Sequence, residues 1–167
     1  NIFGNINQLP FPCAIDMIAA FIFVGGATSD LALELYSTPL GTPSIIESVA
    51  VDANLISAAS RLAICQLTTP RTLTANTAYA IGVKQTTANA LTVNQYDVNT
   101  ATHFRPNSYN ENIYAATSTA AATFAAINSG KRRYAVFARI CKLDDGAGVM
   151  VQSDTFVFAN KFGITTF

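Results

Sequence analysis

Few side chains in this sequence could act as a nucleophile or a general base. The chain of 167 residues contains one histidine, His103, which lies in the segment ATHFRP. A Ser-His-Asp or Cys-His site needs a histidine held against both of its partners. The sequence contains no Gly-x-Ser-x-Gly motif, and the Gly pair at 25–26 is not followed by the pattern of a phosphate-binding loop. We therefore predict no catalytic residues and do not expect an enzyme.

The three cysteines also lack the spacing of a reactive or metal-binding set. Cys13, Cys65 and Cys141 are far apart, form no CxxC pair and each lies among apolar residues. A zinc site needs clustered Cys and His ligands, and an odd number of cysteines does not suggest a disulfide framework. We predict three buried free thiols, with a single bridge from Cys65 to Cys13 or to Cys141 as the alternative.

The acidic residues offer one candidate cation site. The segment LDDGAG supplies Asp144 and Asp145, and Asp154 follows on the next predicted strand. Calcium is bound by several such oxygens, but an Asp-Gly turn of a β-hairpin accounts for the same residues. No motif selects a pair of carboxylates for glycoside hydrolysis. We favour the hairpin and predict no metal and no other cofactor.

The longest stretch without a secondary-structure pattern covers residues 99–114. Aromatic rings stack on sugars and proteins, and amide and guanidinium groups add hydrogen bonds. The chain has no Trp, so tyrosines would have to supply the stacking surface. The candidate glycan or partner contacts in or beside this segment are Tyr96, Arg105, Asn107, Tyr109, Asn110, Asn112 and Tyr114. The alternative is that these tyrosines only pack loops and cap sheet edges.

The elements that would hold such a contact loop are short strands between turn sequences. Runs rich in β-branched and aromatic residues predict strands near 14–24, 31–37, 44–51, 61–67, 78–84, 91–98, 113–117, 132–142, 149–158 and 162–167. Turn chemistry separates them, for example TTP at 68–70 and TAN at 74–76. The segment 52–62 permits a short helix, whereas Ala-rich 118–129 favours loops or strands. The pattern predicts an all-β fold, a single antiparallel β-sandwich of jelly-roll type.

Alternation also predicts which residues face the core. In the strand at 31–37, Leu31, Leu33 and Leu35 alternate with the set Ala32, Glu34 and Tyr36. The stretch LTANTAYAIGVKQTTANALTV, residues 73–93, predicts a β-hairpin with Tyr79, Ile81 and Val83 toward the core. Its Thr-rich outer face would meet solvent or another subunit.

Composition favours an assembly. Half of the residues are hydrophobic, 12% are charged and the net charge is zero, whereas about 25% charged residues is usual. Neutrality argues against nucleic acid as a partner, and no apolar run is long enough to span a membrane. The first residue is Asn rather than Met. We expect residues 1–167 to form one domain, either complete or a processed or excised part of a longer chain.

Three segments carry a resemblance to a known class. They are LALELYSTPLGTPSIIESV (31–49), LTANTAYAIGVKQTTANALTV (73–93) and NSGKRRYAVFARICKLDDGAG (128–148). Their strand-and-turn pattern resembles β-sandwich modules of tailed-phage virions, namely head decoration proteins, head fibres and tail adhesins. The resemblance implies a structural protein located in the virion, with other virion proteins and copies of itself as partners. The alternative is a carbohydrate- or receptor-binding module that uses the 99–114 loop on a host-surface glycan.

Overall fold

The computed structural model describes residues 2–9, 11–24, 31–52, 59, 61–85, 91–93, 95–97, 113–115, 125–126, 132–144 and 150–158. This part of the chain contains strands and turns and no helix. Its strands, in chain order, are β1 (Ile2–Gln8), β2 (Cys13–Val24), β3 (Leu31–Ser37), β4 (Ser44–Ala50), β5 (Arg61–Leu73), β6 (Ala78–Gln85), β7 (Leu91–Val93), β8 (Gln95–Asp97), β9 (Ile113–Ala115), β10 (Ala125–Ala126), β11 (Arg132–Tyr134), β12 (Val136–Asp144) and β13 (Met150–Phe158).

Two antiparallel sheets form the body of the fold. Sheet A has the order β10-β9-β1-β6-β3-β4, and sheet B has the order β13-β12-β2-β5 with β7 added to β2. Strands β8 and β11 form a separate two-stranded sheet. The connection from β5 to β6 crosses from sheet B to sheet A through a tight turn at 74–77. Such crossings let consecutive strands cover each other, as in a β-sandwich.

One apolar cluster lies between the two sheets. The predicted alternation accounts for the residues that sheet A contributes to this cluster. Leu31, Leu33 and Leu35 of β3 are buried in it, as are Ile81 and Val83 of β6. Sheet B supplies the opposite wall from β2, β5 and β12, with the buried residues Cys13, Ile15, Ile18, Ala20, Ile22, Ala63, Cys65, Leu67, Leu73, Val136, Ala138 and Ile140. The prediction of an all-β fold with sheets packed face to face is therefore confirmed as a β-sandwich-like arrangement.

Sheet B contains two neighbouring irregularities that change which residues face the core. The register of β2 with β5 shifts between Ile15 and Met17, and that of β12 with β2 shifts around Cys141. An extra residue in a strand reverses the side to which later residues point. For this reason Ile15 and Ile18 both face the core although they are an odd number of residues apart.

Sheet A is buried on its outer face as well. Glu34 and Tyr36 point away from Leu33 and Leu35, as the alternation predicts, yet both are almost fully buried. Glu34 accepts hydrogen bonds from Tyr36 Oη, from Ser48 Oγ at 2.8 Å and from Lys84 Nζ at 3.3 Å. These donors offset the cost of removing the carboxylate from water.

Two glycines allow β1 and β6 to approach closely beside this polar group. A Cβ atom on Gly4 would lie 2.4 Å from the Ile81 carbonyl oxygen and 2.8 Å from Gly82 Cα. Gly4 and Gly82 are direct partners in the register. A side chain at position 4 would therefore collide with main-chain atoms that cannot rotate away.

The prediction of a hairpin over residues 73–93 is wrong. Strand β6 pairs with β1 and β3 in sheet A, whereas β7 pairs with β2 in sheet B. Alternation identifies a strand and its buried face, and Ile81 and Val83 are indeed buried, with Tyr79 half-buried against the same cluster. It does not identify the partner strand, and the connection at 86–90 lies outside the described residues.

Strand β1 was not predicted, and the turn predicted at TTP, residues 68–70, is wrong. Residues 68–70 lie inside β5, where the ladder to β2 is interrupted between Gln66 and Arg71. Pro70 is tolerated there because β5 is an edge strand with an irregular register. In β1, Asn5 and Asn7 occupy the core-facing positions and so hide the apolar alternation.

Other boundaries differ in smaller ways. The strand predicted at 91–98 is two strands, β7 and β8, which belong to different sheets, and that at 132–142 is divided into β11 and β12. Residues 61–62 of the permitted helix belong to β5, and 125–126 of the Ala-rich segment form β10. The segment predicted as a strand at 162–167 lies outside the described residues.

Candidate functional site

The predicted contact residues are only partly described. The backbones of Tyr96 and Tyr114 lie in β8 and β9, so the loop predicted to reach residue 114 ends earlier. Residues Arg105, Asn107, Tyr109, Asn110 and Asn112 lie outside the described residues, as does His103. Asp144 ends β12 and pairs with Met150 of β13, so these two strands form the predicted hairpin, whose turn at 145–149 is outside the description.

The strands that carry Tyr96 and Tyr114 are attached to two strands that are joined to each other. Tyr96 pairs with Arg133 of β11, and Tyr114 pairs with Phe3 of β1. Strands β1 and β11 meet where the Phe3 and Tyr134 rings contact edge to face, with centroids 5.8 Å apart.

A buried amide holds that junction together. Asn5 Nδ2 donates to the Tyr134 carbonyl oxygen at 2.8 Å, and the Tyr134 N–H donates to Asn5 Oδ1 at 3.1 Å. Asn5 was not among the residues predicted from the sequence. An amide at a core-facing position of a strand would indicate such a residue. That position can be recognised only when β1 has been identified as a strand.

The strong ion pairs of the described residues are structural. Arg139 Nε and Nη2 donate to the two carboxylate oxygens of Asp16 at 2.8 and 2.6 Å. These hydrogen bonds hold the pKa of Asp16 below its usual range. Arg71 of β5 likewise binds Glu47 of β4, with Nε 2.8 Å from Oε2, and lowers the pKa of Glu47. The second pair links the edge strands of the two sheets.

The thiols are in environments that suppress reactivity. Burial, with a smaller effect of the neighbouring Cys141, raises the pKa of Cys13 to about 11. Burial also raises the pKa values of Cys65 and Cys141. Cys13 and Cys65 are buried as predicted, whereas Cys141 is only half-buried. Because the thiolate is the reactive form, these positions favour packing over chemistry.

Within the described ranges, no three His, Cys, Asp or Glu side chains are grouped closely enough to hold an ion. In the same part of the chain, no helix has the length and apolar character needed to cross a bilayer.

The outer surface of sheet B, in contrast, exposes large apolar side chains. Leu62 and Ile64 of β5 are 38% and 47% exposed, and Phe21 of β2, directly opposite Leu62, is 38% exposed. The Phe21 ring contacts Phe137 of β12 edge to face, with centroids 5.9 Å apart. We call Phe21, Leu62, Ile64 and Phe137 the apolar surface.

The register places the apolar surface in rows that cross the sheet. Ile64 pairs with Ala19, Ala19 pairs with Phe137, and Phe137 pairs with Phe158 of β13. This surface was not predicted from the sequence, although the pattern of the run RLAICQ at 61–66 indicates it. Both alternating sets of that run contain apolar residues, so whichever set faces the core, the other is presented outward.

The outer face of sheet B is suited to contact with another apolar surface. Contiguous exposed apolar patches on soluble proteins commonly mark binding sites. No protein-family model, no curated protein and no solved structure matches this chain.

Proposed function

We propose that this chain is a non-enzymatic structural protein of a virion, with a β-sandwich of jelly-roll type that decorates or stabilises a phage capsid or forms part of a fibre. Its mode of action is protein–protein adhesion, and its partners are other virion proteins and further copies of the chain. The observation that carries the proposal is the apolar surface on the outside of sheet B, where Leu62 and Ile64 remain 38% and 47% exposed.

The energetics of that surface suit a repeated contact. Full burial of a Leu, Ile or Phe side chain contributes about 1.5 to 3 kcal/mol, so covering the exposed part of each gives roughly 1 kcal/mol. Such a gain per side chain is modest. In a symmetric shell or fibre it recurs at every copy, and an interface of standard size buries roughly 800 Å² on each partner.

The charge distribution supports the same proposal. The chain has ten basic and ten acidic residues among 167, and Asp16, Glu34 and Glu47 are each held in an ion pair within the fold. Few charges therefore have to be stripped of water when a neighbour covers the surface. Zero net charge also removes long-range repulsion between copies.

The segments that resemble virion modules coincide with strands of the fold. Residues 31–49 contain β3 and most of β4, 73–93 contain β6 and β7, and 128–148 contain β11 and β12. This placement supports a scaffold role for those segments. We propose in addition that the scaffold is located in the virion.

A carbohydrate- or receptor-binding module is the second candidate. Its support is the attachment of the Tyr96 and Tyr114 strands to the joined strands β11 and β1. That junction would hold both ends of a contact loop in place. A host-surface glycan would then stack on tyrosine side chains in and beside 99–114.

Two variants separate these candidates. Phe21→Lys places a charge in the apolar surface, and Thr72→Lys, at an exposed position in the other half of β5, is the matched control. The triple change of Tyr96, Tyr109 and Tyr114 to Ala removes the candidate stacking residues. All variants are first checked for unchanged melting.

The readouts are co-sedimentation with virus particles and binding to a glycan array. The structural proposal predicts that wild type and Thr72→Lys sediment with particles, that Phe21→Lys does not, and that the tyrosine variant still does. Glycan binding that the tyrosine variant loses, with no particle association by wild type, would replace the proposal with the second candidate.

A further inference from the structure

Strand β5 is an edge strand whose two halves differ. Within the described part of the chain it pairs only with β2. A strand with a neighbour on one side leaves N–H and C=O groups open on the other, and natural edges are usually protected by charges, Pro or bulges. In the second half of β5, Pro70 lies within the register shift and Arg71 binds Glu47 of β4.

The first half, residues 61–66, has none of these protections except a charge at its start. It pairs regularly with β2, from Arg61 opposite Ile22 to Gln66 opposite Met17. Its outward side chains include Leu62 and Ile64, which are both well exposed. The unprotected edge therefore runs along the border of the apolar surface.

We infer that residues 61–66 of β5 form a homotypic docking edge, which pairs antiparallel with the same segment of a second copy so that sheet B continues from one subunit into the next. Main-chain groups of both edges would be satisfied, and the apolar surfaces of both copies would join into one face. The inference rests on the proposed role in an assembly and adds to it the surface and the partner.

The positions of the side chains favour a second copy as the occupant. Residues directly opposite each other in an antiparallel pair point to the same face, so a register with Ala63 on the two-fold axis places Leu62 opposite Ile64 of the second copy. The only charge in the segment, Arg61, then lies about 13 Å along the strands from its counterpart. That separation exceeds the screening length of about 8 Å at physiological salt, so self-pairing meets little repulsion.

The test is the mass of the full chain in solution across a wide range of concentrations. We expect wild type to approach twice 17.7 kDa as concentration rises. Ile64→Lys should remain at the monomer mass, because it removes the apolar contact of Ile64 with Leu62 of the second copy and places a charge on the pairing edge. The matched control is Ile45→Lys, which changes a residue with 45% exposure in β4, the edge strand of sheet A. It should associate like wild type.

A second measurement on wild type alone keeps the test independent of how the variants fold. Amide hydrogen exchange at residues 61–66 should slow as concentration rises, whereas exchange in β4 should not change. Wild type that stays monomeric, with exchange independent of concentration, would overturn the inference. Equal masses for folded Ile64→Lys and Ile45→Lys would also overturn it.

The outcome is separable from that of the proposed function. A monomeric wild type that still sediments with virus particles would remove the docking edge and leave the structural role intact. A dimer that joins no particle would support the docking edge and oppose the structural role.

Discussion

Replacing Gly4 by Ala should separate the two central strands of sheet A. The added Cβ would meet the Ile81 carbonyl oxygen at 2.4 Å and Gly82 Cα at 2.8 Å, both of them main-chain atoms of β6. Overpacking in a close-packed region costs about 1 to 3 kcal/mol, and the upper end applies because neither atom can move without the strand. The lower entropy of the unfolded Ala chain offsets about 0.4 to 1 kcal/mol.

The expected net loss is about 2 kcal/mol, which for a chain of this size lowers the melting temperature by roughly 4 to 8 °C. Gly41→Ala is the matched control, because the nearest atom to its added Cβ is the Thr38 oxygen at 3.9 Å, an ordinary contact. Thermal and urea unfolding followed by circular dichroism measure both variants. A Gly4→Ala variant that is as stable as Gly41→Ala would refute the close approach of β1 and β6.

Asn5→Ala should lower the free energy of unfolding by about 3 kcal/mol in urea titrations, because it removes both hydrogen bonds to the buried Tyr134 backbone; an unchanged midpoint would contradict the junction. Because the hydrogen bonds and ion pair with Arg139 hold the pKa of Asp16 below its ordinary value, the stabilisation from this pair is complete above the ordinary pKa and is lost as pH falls through the folded pKa. Acid unfolding of Asp16→Asn should thus depend less on pH than that of wild type. Cys13 should react with a thiol reagent only on unfolding, since burial raises its pKa to about 11. Rapid labelling of the native chain would contradict the burial of Cys13. A chelator should not lower the melting temperature if the turn after Asp144 is held by hairpin geometry alone, and a loss reversed by calcium would reveal a metal site.

Local features of the fold were predictable where one face of a strand is apolar and the other is not. Residues 31–37 were predicted with their bounds and their buried face, because Leu31, Leu33 and Leu35 repeat at the period of a strand. Strand β1 was not predicted because Asn5 and Asn7 stand at core-facing positions, where apolar residues would reveal a strand. The burial of Asn5 depends on its hydrogen bonds to Tyr134 of β11, which is distant in sequence.

The pairing of β6 was not predictable, unlike the hairpin of β12 and β13. The sequences at 74–77 and 86–90 both contain residues typical of hairpin turns, yet β6 pairs with neither β5 nor β7. Which strands pair depends on the packing of two whole sheets, and no local pattern contains that information. The register shifts near Asp16 and Cys141 are equally invisible in sequence, since each is defined by its partner strand.

The candidate site was also predictable only in part, because its location depends on how the strands pair. The composition indicated an assembly. The apolar surface, however, can be recognised only from the structure, in which β5 pairs with β2 and Phe21 lies beside Leu62. In the sequence, Leu62 and Ile64 cannot be distinguished from core residues. These side chains form a contact surface because they remain exposed on the outer face of sheet B.

Protein mass spectrometry of gradient-purified virus particles, prepared from the source of this sequence, tests the central claim most directly. The account predicts that peptides of this chain follow the shell proteins through the gradient in a fixed ratio to them, and that Phe21→Lys lowers this ratio while Thr72→Lys does not. A chain that is absent from the particles, although abundant and folded in the same preparation, would contradict the proposal that it is a structural protein of the virion.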